Sequence, residues 1–146
     1  MVKYTFSYQN PNNHYLDITM ELEQPEADKT HLYLPAWRPG RYQLANFAKN
    51  IQLWKPFDEN DQPLSFKKVR KDCWEIETGG IQKLKVRYNY FAFKLDGGNT
   101  FMDEDQLYIN PVNCALYNPE RLDEECQVHL DLPAGFEVAT AMLRAG

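Results

Sequence analysis

The sequence is short of positive charge. Lysine and arginine number 16 against 21 aspartates and glutamates, a formal net charge of −5. That balance excludes the basic stripe with which proteins displace counterions from nucleic acid. No stretch approaches eighteen consecutive apolar residues, so no helical membrane span is encoded. The first residues, Met1-Val2-Lys3-Tyr4-Thr5-Phe6-Ser7-Tyr8, alternate like a strand and lack the apolar run of a signal peptide. Cytoplasm is therefore the expected location, or the periplasm or exterior if a leader was removed. Cysteine is scarce as well. Cys73, Cys114 and Cys126 form an odd set with no close pair, which argues against a disulfide framework and for reduced, buried thiols. With only 7 glycines and 9 prolines the chain is neither collagenous nor of low complexity.

What is present is a chain of 146 residues, 43% hydrophobic and 14% aromatic, the right size for one domain with a real core. Its dominant pattern has period two. Val2, Tyr4, Phe6 and Tyr8 share a parity; Leu16, Ile18, Met20 and Leu22 alternate with Asp17, Thr19, Glu21 and Glu23. Leu32 and Leu34, Ile51 and Leu53, and Trp74 and Ile76 continue it. Leu84, Val86, Tyr88 and Tyr90 then alternate with Lys83, Lys85, Arg87 and Asn89, and Cys126, Val128, Leu130 and Leu132 follow. Phe136 and Val138 open what reads as a last strand. Asn10-Pro11-Asn12-Asn13, Asp58-Glu59-Asn60-Asp61, Gly79-Gly80 and Asp96-Gly97-Gly98-Asn99 mark turns between the runs. Short half-buried strands so punctuated predict an all-β fold, an antiparallel sandwich or a saddle-like curved sheet, with at most one short helix. Leu44, Phe47, Ala48 and Ile51 have helical spacing, so 41–51 reads equally as a short helix or an extended loop.

The sequence carries no recognisable catalytic pattern. His14, His31 and His129 are far apart and lack the spacing of a zinc helix. Cys126 and His129, an odd separation apart on a strand, point to opposite faces and do not form a nucleophile–base pair. The acids Asp96, Asp103, Glu104 and Asp105 do not follow the spacing of a calcium loop. Lys67-Lys68-Val69-Arg70-Lys71, with Lys83, Lys85 and Arg87, reads as the solvated face of a hairpin. There is no Gly-rich phosphate loop and no nucleophile elbow.

The most distinctive segment is Leu34-Pro35-Ala36-Trp37-Arg38-Pro39-Gly40-Arg41-Tyr42. Pro35 ends a strand, and Pro39-Gly40 suits the centre of a type II turn, where proline sets φ and glycine takes the positive φ that follows. Together with Asn46-Phe47-Ala48-Lys49-Asn50-Ile51, this corner resembles the N-terminal domain of the glycyl aminopeptidase family. Lys85–Tyr90, the segment from Tyr108-Ile109-Asn110-Pro111 to Tyr117, and Leu132-Pro133-Ala134-Gly135-Phe136-Glu137-Val138-Ala139-Thr140-Ala141 resemble further family stretches, so that the likeness spans residues 3 to 143. Arg41, Asn46 and Phe136 depart from the commoner family residues.

The resemblance implies a single β domain over 1–146, truncated from a larger multidomain peptidase with a thermolysin-like zinc domain and a PDZ domain. It implies no catalytic residue, metal or cofactor in this chain, with zinc held in the separate catalytic domain. Partners would be that domain and, through it, peptide substrates. Pro35, Trp37, Pro39, Gly40 and Tyr42 form the structural signature, packed on the sheet or on the other domain. Asn110 and Asn113 are the candidate substrate contacts; the competing reading is that they only cap or turn their loop. A stand-alone β-sandwich binding carbohydrate or protein is the alternative function.

Overall fold

The computed structural model describes residues 1–40, 44–95 and 98–145. Among the described residues are ten strands: β1 (Val2–Ser7), β2 (Tyr15–Glu23), β3 (Lys29–Tyr33), β4 (Ile51–Phe57), β5 (Phe66–Arg70), β6 (Cys73–Glu77), β7 (Lys83–Phe91), β8 (Phe101–Met102), β9 (Leu107–Tyr108) and β10 (Cys126–Asp131). They form a five-stranded sheet in the order β10-β1-β2-β7-β4, a three-stranded sheet β3-β6-β5 and a small ribbon β8-β9.

Register follows from the alternation. In β2 and β7, Leu16 stands opposite Tyr90, Ile18 opposite Tyr88, Met20 opposite Val86 and Leu22 opposite Leu84. All eight are buried, because opposed residues of an antiparallel pair share a face. β1 adds Val2 and Phe6 to that face. The second sheet contributes Leu32, Trp74 and Ile76 to the same core. At the edge, β4 carries a register shift around Leu53, whose φ of 53° turns its side chain out and the next one in. Trp54 thereby stacks on Trp74 of the other sheet, with centroids 5.1 Å apart and planes 7° apart. Pro56 fits here because an edge strand leaves a backbone donor position unused.

The sheet is mixed rather than wholly antiparallel: β10 runs parallel to β1. Phe136 and Val138 do not begin a strand. Phe136 meets Tyr8 edge-on at 6.3 Å, but among the described residues no strand pairs with 136–145, and Val138 is exposed. Of 41–51, the described part contains only a 3-10 turn over Phe47–Asn50, while 41–43 lie outside the described residues. The α-helical turn is elsewhere, α1 (Pro111–Cys114). Lys67–Arg70 and Lys83–Arg87 occupy different sheets, so they are two solvated faces and not one hairpin. Cys73 and Cys114 are buried, but Cys126 is exposed because it opens the outermost strand.

Candidate functional site

The segment around α1 closes one side of the sandwich. Tyr4 donates its hydroxyl to the Leu116 carbonyl at 2.6 Å, and Tyr88 donates to the Cys114 carbonyl at 2.6 Å. Tyr33 and Tyr117 exchange backbone bonds of 2.8 Å, tying the same segment to the second sheet. Burial drives the Tyr88 hydroxyl well above its usual titration range and pushes the Cys114 thiol up to about 12. Both are therefore neutral anchors with no nucleophilic character.

Asn110 caps α1: its Oδ1 accepts from the Val112 amide at 3.3 Å, and Pro111 follows at the position where a missing donor is harmless. Asn113 is fully buried. Its amide nitrogen donates to the Gly98 carbonyl at 2.6 Å, and its oxygen accepts from Thr100 Oγ1 at 2.5 Å. Asn110 Nδ2 reaches the same Gly98 carbonyl at 3.3 Å, and its backbone amide donates to Thr100 Oγ1 at 3.0 Å. Both side chains thus hold the 98–100 loop, and a ligand seeking their amides would have to displace these bonds.

Gly98 also connects this loop to the signature corner. A Cβ built on it would fall 1.3 Å from Arg38 Nη1, so the guanidinium occupies the space a side chain would need. Gly40 has φ 83°, as a type II turn requires, although the end of that turn and Tyr42 lie outside the described residues. Pro35 and Ala36 are half-buried. Trp37, however, is 50% exposed, so the signature tryptophan does not pack into the sheet.

Beside this junction a cleft of about 350 Å³ opens between the 44–50 turn, the end of β7 and Asn99–Thr100. Asn50 donates to the Tyr90 hydroxyl within it at 3.2 Å. Among the described residues no group of three or more His, Cys, Asp or Glu side chains converges to hold a metal ion. His14 packs its ring on Phe93 at 4.5 Å, His31 pairs with Glu75 at 3.0 Å, and His129 is exposed on β10. Asp103 Oδ1 accepts from the Asp105 and Gln106 amides at 2.9 Å, which closes its own turn.

Residues 3–146 match the Peptidase M61 N-terminal domain. The chain belongs to that family. Its solved neighbours include an aminopeptidase N family protein from Idiomarina loihiensis, with TM-score 0.84 and 25% identity, covering 92% of this chain. This M61 N-terminal domain spans only 22% of that protein's chain. No curated protein gave a significant sequence match. The chain is thus an all-β peptidase N-terminal domain. The family corner at Trp37–Gly40 thus lies against the Gly98–Asn113 junction, a long-range link whose only sequence trace is the glycine at 98.

Proposed function

We propose that this domain acts without chemistry of its own, packing on the catalytic domain of a zinc-dependent, glycyl aminopeptidase-like metallopeptidase and walling one side of its substrate cleft. The observation that carries the reading is the match over residues 3–146 to the Peptidase M61 N-terminal domain. Among the described residues no three His, Cys, Asp or Glu side chains converge, which is compatible with a reading in which the catalytic domain holds the zinc. A wall that excludes water and closes the cleft beyond the first residue favours removal of single N-terminal residues over internal cleavage. The 98–100 and 110–114 loops, cross-tied through Asn110, Asn113 and Thr100, are rigid enough to serve as such a wall.

The test is turnover of glycyl p-nitroanilide with and without added zinc. The 146-residue chain should release no p-nitroaniline under either condition, whereas the longer polypeptide carrying the zinc domain should release it. Clear turnover by the 146-residue chain alone would overturn the assignment.

A further inference from the structure

Beyond β7 the chain builds a short aromatic ladder. Phe93 bridges antiparallel to Phe101, and Phe101 stands opposite Tyr108 in the β8-β9 ribbon. Directly opposed residues share a face, so these three rings form one row across three strands. Phe91, two residues before Phe93, falls on the same side and stacks on it at 5.9 Å; Ala92 between them is fully buried. His14 packs against Phe93 at 4.5 Å and lies 6.3 Å from Phe101.

Such a row would ordinarily be core, yet it faces solvent. Phe93 is 57% exposed, Leu95 62% and Tyr108 45%. Trp37 and Leu44 flank the same end of the molecule: the Ala45 amide donates to the Ala36 carbonyl at 2.7 Å, and Leu44 lines the same cleft as Phe93. Aromatic side chains bury about 150–250 Å² each, so covering Phe91, Phe93, Leu95, Tyr108, Trp37 and Leu44 would remove roughly 600 Å² from water. That lies at the upper end of the largest apolar patch on a typical monomer, about 300–600 Å² and often functional, and reaches the lower end of contacts between domains of one chain, about 600 to 1,500 Å².

The geometry points to this face as the surface on which the catalytic part of the same longer polypeptide docks, through an apolar counter-surface. The inference rests on the proposed function and specifies where the contact lies. The area suits a tethered neighbour, which needs less buried surface than a free partner. The half-exposed Trp37 fits the same role: a family-signature aromatic that is not core is accounted for by contact with another domain.

Hydroxyl-radical footprinting tests it, applied to the 146-residue chain and to the longer polypeptide. Labelling at Phe91, Phe93, Leu95, Tyr108 and Trp37 should fall several-fold in the longer polypeptide, while the exposed Phe66 and Val69 of β5 keep their rate. The double substitution Phe93→Ser and Tyr108→Ser should lower the melting temperature of the longer polypeptide by more than that of the 146-residue chain. Protection confined to another face would overturn this inference and leave the proposed function standing. No protected face anywhere would overturn both. Concentration-dependent protection in the 146-residue chain alone would make the face a self-association surface and overturn the inference.

Discussion

Glu75 on β6 sits among three cationic or ionisable partners: His31 at 3.0 Å, Lys29 at 3.2 Å and Lys67 at 3.4 Å. His31 above all, then Lys29, draws its carboxyl from 4.5 down to about 2. Because the folded value lies below the unfolded one, the unfolded chain takes up the proton first as pH falls. The stabilisation is whole above about pH 4.5 and drains away toward pH 2. Glu75→Gln should therefore lower the melting temperature at neutral pH, with the gap to the native chain closing between pH 4.5 and 2; thermal scans across that range check it. Asn113 acts in a dry setting. Asn113→Ala removes one partner each from the Thr100 hydroxyl and the Gly98 carbonyl, which keep the longer bonds to Asn110, and should cost about 1–3 kcal/mol in urea unfolding. Gly98→Ala should instead displace the Arg38 guanidinium, a flexible group, at a smaller cost.

Among the elements, the link between the sheets is the stack of Trp54 on Trp74, and it depends on the turned-out Leu53 in β4. Trp54→Ala should cost about 3–5 kcal/mol through the cavity it leaves. Trp54→Phe should cost clearly less, since the buried indole N–H has no hydrogen-bond partner among the described residues and its removal forfeits no bond. Equal losses for the two variants in denaturant unfolding would contradict this. The strands around this stack were legible because burial imposes period two: β2 and β7 alternate as their residues do. Three things were not legible. The parallel seat of β10 beside β1 depends on a partner more than a hundred residues away. Phe136–Val138 has strand spacing but no strand beside it, and spacing alone makes no ladder. The helical turn at Pro111–Cys114 did carry a local signal, Asn110-Pro111 as cap and first position, but four residues are too few for periodicity to show.

For the whole molecule, the corner at Trp37–Gly40 was legible as a family signature because its turn chemistry is local, and residues 3–146 match that family. Its surroundings were not. That Arg38 covers Gly98, about sixty residues on, that Asn113 is buried beneath the same loop, and that Trp37 stands half in solvent leave no local pattern in the sequence. Together they describe a domain with a rigid, hydrogen-bonded junction behind and an apolar aromatic face in front. The described side chains assemble no metal site. Under the proposed function, this domain works through contact with a catalytic neighbour. The most direct measurement is sedimentation of the 146-residue chain with the separately produced zinc-bearing part of the longer polypeptide. A one-to-one complex, lost when Phe93→Ser and Tyr108→Ser are introduced together, is the predicted result. Two species sedimenting independently, with the zinc-bearing part folded and active alone, would contradict it.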